Sequence, residues 1–377
     1  MDTDLRGIKL MNRKKNFKYY SLKNIQRKDA TYNVIFGERS NGKTYAVLKQ
    51  ALENYKKDGS QFAYVRRWQD DIKARRASTV FNGLQDDGTI SKLFDGEYTG
   101  VTYYSGKFYL CTYDEKGKAI YSDSDVLGYT FALSETEHGK SNSYPKVTLI
   151  MFDEFLTKHL YLPDEFVLFM NTVSTIVRLR TNVKIYMLGN TVNKFCPYFQ
   201  EMGLNHIREM KQGSIDVYSY GDSKLKVAVE YTANTASNKK NNFYFAFNNP
   251  KLSMITGGAW ELNIYPHIPV KYKPHNVKFV YFIVFNDQTF QCEVVDKDPY
   301  YFTFIHLKTT PIKDDENDLV YTTDFVPKMN YNRNILKPIT ELQKNIKWFY
   351  VTDRVYYQNN DVGDSINNYL KICRQGL

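Results

Sequence analysis

Eight residues near the start of the chain carry the clearest chemistry. Gly37, Glu38, Arg39, Ser40, Asn41, Gly42, Lys43 and Thr44 spell GxxxxGKT, directly after the apolar run Tyr32-Asn33-Val34-Ile35-Phe36 and before the helix-like Tyr45-Ala46-Val47-Leu48. A strand before and a helix after is the context a phosphate-binding loop needs. Glycines let the backbone curl so that amide N–H groups point inward, and the following helix adds partial positive charge. The lysine then reaches the β- and γ-phosphates, and the threonine hydroxyl faces magnesium. A chance Gly-Lys-Thr turn, the alternative, does not explain the flanking pattern.

A second signal is the apolar run Leu149-Ile150-Met151-Phe152 ending in Asp153 and Glu154. Alone, such a strand end means little. Beside a phosphate loop it assigns Asp153 to magnesium and Glu154 to the attacking water as general base, so hydrolysis of ATP with Mg2+ is expected as well as binding. A cation at the γ-phosphate is also expected, because an arginine there is worth roughly 10³ to 10⁵ in rate. Arg178 and Arg180 are the candidates, and two solvated arginines on a helix end are the bland alternative. Asn190 either senses the γ-phosphate or simply forms a turn with Gly189. Of Arg66 and Arg67, one is expected on the nucleotide side and the other as a surface charge.

These residues need a scaffold that brings strand ends together. Four buried strands are expected, at 32–36, 61–65, 147–152 and 183–188, separated by segments of helical character, which predicts a parallel α/β sheet. Ligands of such sheets bind beyond the carboxyl ends of the strands, so Gly37, Arg66, Asp153 and Asn190 should share one rim. Residues 81–132 read as a β-hairpin insertion. Beyond residue 208 helical signals weaken: 209–245 is polar and reads as a linker, and 246–377 as a second domain. Its predicted features are a hairpin turning at Asn286-Asp287-Gln288 and one or two helices after residue 339.

Composition sets the outer bounds. The chain has 377 residues, 42% apolar and 16% aromatic, which excludes disorder. Its four cysteines form no CxxC pair, so neither a disulfide scaffold nor a common zinc site is expected, and no run of 18 apolar residues predicts a membrane span. The net charge is +10, and nine of the basic residues lie within 1–28 against Asp2 and Asp4. That excess reads either as a nucleic-acid-binding arm or as a solvated lead-in to the first strand.

The chain resembles the DNA-packaging ATPases of phi29-like bacteriophages, which are terminase-like ring motors. The resemblance lies in the phosphate loop with Arg39, the strand end Tyr64-Val65-Arg66-Arg67, Lys140-Ser141-Asn142-Ser143-Tyr144-Pro145, Phe152-Asp153-Glu154-Phe155, Arg178, Arg180 and Asn190. It is weaker at Lys278 to Asn286. It implies an ASCE-type P-loop ATPase domain (1–208), a linker (209–245) and a C-terminal RNase H-like α/β domain (246–377) without nuclease activity. It implies also a homomeric ring of five subunits that docks on the portal of a procapsid in the host cytoplasm and drives double-stranded DNA inward. A packaging RNA is a further candidate partner. Arg178, and with it Lys140, would act on the neighbouring subunit's nucleotide. Candidate DNA-contacting loops carry Lys56-Lys57, Lys73 to Arg76, Lys116, Lys118 and Lys239-Lys240. Two rival readings stay open: a full terminase that also cuts DNA, for which Asp287, Asp296, Asp361 and Asp364 are the acids available, and a non-translocating ATP-binding scaffold.

Overall fold

The structure, a computed structural model, describes residues 20–135, 143–157, 161–191, 196–233 and 263–375. They divide into two compact units. The first is built on one sheet ordered β3-β4-β6-β2-β7-β8-β1-β10-β9. The strands are β1 (Tyr32–Gly37), β2 (Gln61–Arg66), β3 (Gly100–Tyr104), β4 (Lys107–Tyr113), β6 (Val126–Ala132), β7 (Val147–Asp153), β8 (Lys184–Asn190), β9 (Ile215–Ser219) and β10 (Lys226–Tyr231), with short β5 (Ala119–Ile120) paired to β4. From β6 to β10 every neighbouring pair is parallel. All six residues of β1 are buried, as a strand covered on both faces requires.

The four strands expected from the apolar runs are β1, β2, β7 and β8, and their register aligns their ends. Gly37 pairs with Asn190, Val65 with Phe152 and Asp153 with Leu188. The 16-residue helix Lys43–Asp58 follows the phosphate loop. It turns Val47, Leu48, Ala51 and Leu52 inward, one stripe at helical spacing, and closes at Gly59, whose N–H bonds the Tyr55 carbonyl at 2.8 Å.

Two expectations change. Within 81–132, β3 and β4 do form a hairpin, turning at Ser105 and Gly106 with φ of 47° and 81°. The segment is not a separate appendage, however, because β6 enters the main sheet parallel to β2. The segment 209–245, expected as a linker, supplies β9 and β10, and β10 lies parallel to β1 with five consecutive residues buried. Its apolar core, Val227-Ala228-Val229, is too short and too closely flanked by Lys226 and Glu230 to stand out from a polar stretch, and pairing with β1 supplies the missing burial. The remainder of that segment, 234–245, lies outside the described residues.

The second unit has a six-stranded sheet ordered β15-β14-β11-β12-β13-β16. Long strands β11 (Val277–Phe285), β12 (Gln288–Lys297) and β13 (Tyr300–Lys308) run antiparallel. The shorter β14 (Val320–Thr322), β15 (Tyr331–Asn332) and β16 (Val355–Tyr357) join in parallel. The β11–β12 hairpin turns at Asn286 and Asp287, both with positive φ, as the alternation predicts. Of the one or two helices expected after residue 339 there are two, Glu341–Val351 and Asn360–Gln375. They bring Ile346, Phe349, Ile366 and Tyr369 into the core formed with Tyr281, Ile283 and Phe290. All four cysteines are free and buried. No described helix is long and apolar enough to cross a membrane.

Candidate functional site

The phosphate loop leaves β1 at Gly37 (φ 150°) and enters the helix through Ser40 (φ 57°) and Gly42 (φ 93°). Left-handed residues within a short turn point successive amides to one side, the geometry of an anion nest. Gly42, the residue at the N-terminus of the helix that follows, makes no side-chain cap, and of the first-turn amides that of Lys43 is bonded to Asn41 Oδ1 at 3.3 Å. Gly37 is required sterically, because a Cβ there would stand 2.1 Å from the Thr232 Oγ1.

Lys43 is 6% exposed. Its ammonium donates to the Glu38 carbonyl at 2.6 Å, to Asn41 Oδ1 at 3.2 Å and to Asn190 Oδ1 at 3.4 Å. Burial pulls its pKa down to about 8, while the Asp153 and Glu38 charges resist. Asn190 is thereby placed at the lysine, as its register with Gly37 requires. Thr44 Oγ1 donates to Asp153 Oδ1 at 3.3 Å. Glu38 and Asn41 are buried and Arg39 and Ser40 exposed.

The acids at the end of β7 face a cation from β2. Arg66 donates to Glu154 Oε2 at 2.6 Å and lies 3.7 Å from Asp153 and 3.4 Å from Asp71. Tyr64 OH donates to Asp153 Oδ2 at 3.4 Å. Burial raises the Asp153 pKa and the nearby Arg66 charge counteracts it. Burial also works against the Arg66 charge, but Tyr64, Glu154 and Asp153 outweigh it and raise its pKa. Glu154 sits at φ 58°, a sparsely populated conformation for a residue with a side chain. Arg67 is not the surface charge expected of one member of the pair. It is 5% exposed and donates to the carbonyls of Glu154 and Phe155 at 3.2 and 2.7 Å, which fixes the turn carrying the acid.

The two arginines after the helix Glu165–Val177 have different environments. The Arg180 guanidinium donates to five carbonyls, those of Tyr144, Pro145, Val147, Ile176 and Val177, at 2.6 to 3.3 Å. It ties the helix end to the start of β7, and desolvation lowers its pKa. Arg178 is exposed and held at φ 49°. Lys140, the other candidate for action on a neighbouring subunit, lies outside the described residues, as do Lys239 and Lys240. Of the candidate DNA-contacting lysines, Lys56 pairs with Asp95 at 2.9 Å and Lys73 with Asp70 at 2.5 Å.

The donor set fits a magnesium-bound nucleoside triphosphate: a nest of amides, an ammonium beside it, and a hydroxyl and a carboxylate within 3.3 Å of each other for a hard cation. Sequence reasoning missed Thr232 and Tyr20. The Asn41 Nδ2 donates to Thr232 Oγ1 at 3.0 Å, and the Tyr20 N–H donates to the Asn41 carbonyl at 3.1 Å. Neither residue belongs to a recognisable motif, and only the pairing of β10 with β1 brings Thr232 to the loop. In the second unit, Asp287 and Asp296 mark the two ends of β12, about 30 Å apart at strand rise. Among the described residues no group of three or more His, Cys, Asp or Glu side chains could hold a metal ion.

The profile of the family described as podovirus DNA encapsidation protein (Gp16) matches residues 14–336. The DNA packaging protein of Bacillus phage B103 is 31% identical over 179 residues, 47% of this chain and 49% of that protein. That of Bacillus phage phi29 is 29% identical over 184 residues, covering 48% and 49%. The alignments thus span about half the length of the curated relatives. Among solved structures, the Phi-28 gp11 DNA packaging motor superimposes with a TM-score of 0.55 at 18% identity, over 94% of this chain and 98% of that one. The bacteriophage Phi-29 viral genome packaging motor assembly gives 0.57 at 22% identity, over 95% and 98%. These two show that the α/β fold extends over nearly the whole chain.

The contrast between the arginines is testable without knowledge of the reaction. Arg180→Ala strands several carbonyls and should cost about 1–3 kcal/mol in urea unfolding. Arg178→Ala should stay within about 0.5 kcal/mol of the parent. Equal losses would contradict the assignment of Arg180 as the structural member.

Proposed function

The chain belongs to the podovirus DNA encapsidation protein (Gp16) family, and from that premise we propose that it is the ATPase of a viral DNA-packaging motor. It hydrolyses ATP between subunits of a homomeric ring of five, docked on the portal of a procapsid in the host cytoplasm, and so translocates double-stranded DNA. The observation that supports this best is the convergence of Lys43, Thr44, Asp153 and Asn190 at neighbouring strand ends. The loop amides of 37–44 and Lys43 bind the β- and γ-phosphates, and Asn190 lies beside Lys43 where a γ-phosphate is sensed. Thr44 and Asp153 hold Mg2+, which when bound supplies charge neutralisation to the phosphates.

Glu154 is the general base for the attacking water. Its Oε2 accepts a 2.6 Å bond from the Arg66 guanidinium, which occupies the oxygen a water would need. Glu154 therefore has to exchange Arg66 for water before it can act, and Arg66 sets when hydrolysis starts. Arg178, exposed and backbone-strained at a helix end, is the cation offered to the neighbouring subunit, while Arg180 is committed to carbonyls. Lys140 is proposed as a second basic residue acting across the same interface, on the resemblance alone. The second unit binds portal, DNA or a packaging RNA and does not cut, since the ends of β12 keep Asp287 and Asp296 apart.

Three measurements test this. With procapsids and double-stranded DNA, Glu154→Gln and Arg178→Ala should each lower ATP turnover, by about 10²- to 10⁴-fold and 10³- to 10⁵-fold respectively. A mixture of the two variants should recover turnover, because each supplies what its neighbour lacks; a mixture no better than either alone would sink the assignment to the adjacent subunit. Plasmid incubated with the protein and Mn2+ should stay intact, and cleavage lost in Asp287→Ala or Asp296→Ala would reverse the reading of the second unit. The third follows from the Lys43 pKa of about 8. The ammonium is lost in the free protein as pH rises through that value, and bound phosphate favours it. ATP binding should then take up more protons at about pH 9 than at about pH 7, and affinity should fall across that range. Calorimetry in buffers of different ionisation enthalpy reads the uptake, and equal uptake at both values would refute it.

A further inference from the structure

The Asn41 side chain lies between two groups. Its Nδ2 donates to Thr232 Oγ1 at 3.0 Å, and its Oδ1 accepts from the Lys43 N–H at 3.3 Å and from the Lys43 ammonium at 3.2 Å. Asn41 is 2% exposed and Thr232 1%. Thr232 follows β10 directly, continues its ladder with an N–H bond to the Phe36 carbonyl at 2.9 Å, and stands hard against Gly37. The same strand holds the loop a second way. The Tyr20 hydroxyl donates to Glu230 Oε2 at 2.7 Å, and the Tyr20 N–H donates to the Asn41 carbonyl.

We propose that Thr232 is a positioning residue for phosphate binding, acting through Asn41 on Lys43; this rests on the reading of the loop as an ATP site. A carboxamide has an accepting end and a donating end, and which end faces Lys43 depends on what the other end finds. The Thr232 hydroxyl takes the NH2 end, which leaves the oxygen toward the lysine. Without that hydroxyl the buried NH2 group is left without its acceptor, and a rotation that finds it another one carries the oxygen away from the Lys43 N–H and ammonium. The buried lysine then loses one of its three acceptors, and its pose beside the anion nest is no longer defined. The phosphate loop of this chain thus depends on a strand nearly two hundred residues later in the sequence, outside the motif that names it.

Thr232→Val keeps the volume and removes only the hydroxyl's hydrogen bonding. Binding of a fluorescent N-methylanthraniloyl ATP to the full chain, with magnesium, should weaken on the order of tenfold in this variant, and Thr232→Ser should restore it. Asn41→Ala should weaken binding to a similar degree, and the double variant should bind no worse than Asn41→Ala alone, since both break one relay. A role in fold stability alone would instead lower the melting temperature and leave the two effects on affinity independent. If Thr232→Val fails to fold, Thr232→Ala carries the same comparison. Parent-like affinity in the hydroxyl-less variant, or penalties that simply add, would overturn the proposal. Lys43→Ala separates the levels. If it too binds as the parent does, the ATP-site reading itself fails; if it loses binding while Thr232→Val keeps it, only the positioning role fails.

Discussion

The site depends on keeping one ammonium buried. Taking the charge of Lys43 out of water is costly unless oxygens replace the lost hydration, and here three do: a carbonyl of its own loop, the Asn41 amide and the Asn190 amide. Two of the three come from the loop and the third from the end of β8, so the arrangement holds only if β1 and β8 stay in the register that pairs Gly37 with Asn190. A slip of one residue would turn Asn190 to the other face of the sheet. The continuous burial of β1 opposes such a slip, because it would expose apolar side chains at one end and bury polar ones at the other. Packing far below the rim thus fixes the chemistry at the rim.

A similar dependence governs the acids. β2 and β7 pair so that Val65 meets Phe152, and the next residues, Arg66 and Asp153, meet at the rim. Arg66 then serves Asp153, Glu154 just beyond β7, and Asp71, and Tyr64, two residues earlier and so on the same face, adds its hydroxyl to Asp153. Arg67 faces the opposite way, which is why two adjacent arginines do unlike things: one balances the charge of the acids, and the other holds the carbonyls of the turn that presents Glu154.

Local pattern and tertiary position were legible in the sequence to different degrees. The phosphate loop, the four central strands and the hairpin at Asn286-Asp287 were readable because each has its own signal: glycine spacing, unbroken burial, or alternation around a turn. β10 was not, since Val227-Ala228-Val229 is three residues long and becomes a buried strand only by pairing with β1. Thr232 was invisible for the same reason, as nothing local marks a threonine that will meet a loop at residue 41. Arg178 and Arg180 could not be separated by type or spacing. What distinguishes them is that the carbonyls at 144–147 lie within reach of one guanidinium, a fact of tertiary packing.

The acids of the second unit follow the opposite logic to those of the first. A two-metal site needs ionised carboxylates gathered around ions roughly 4 Å apart. Asp287 sits in the tight turn at one end of β12, and Asp296, at the other end, lies 3.8 Å from Lys278. Asp361 and Asp364 are three residues apart on the last helix and line a cavity of about 430 Å³ with Asn286. Asp364, however, accepts from Tyr265 OH at 2.8 Å and Asn263 Nδ2 at 3.0 Å, and burial raises its pKa. Burial raises the pKa of Asp153 in the first unit as well, but there the Arg66 guanidinium stands 3.7 Å away and opposes it, whereas the hydrogen bonds to Asp364 come from neutral donors. Asn286, an amide at the end of β11, adds no charge to the cavity. The sheet end of the first unit thus sets a cation against its acids, whereas the cavity of the second surrounds Asp361 and Asp364 with amides and hydroxyls, among them Asn286, Gln288, Thr309 and Asn368.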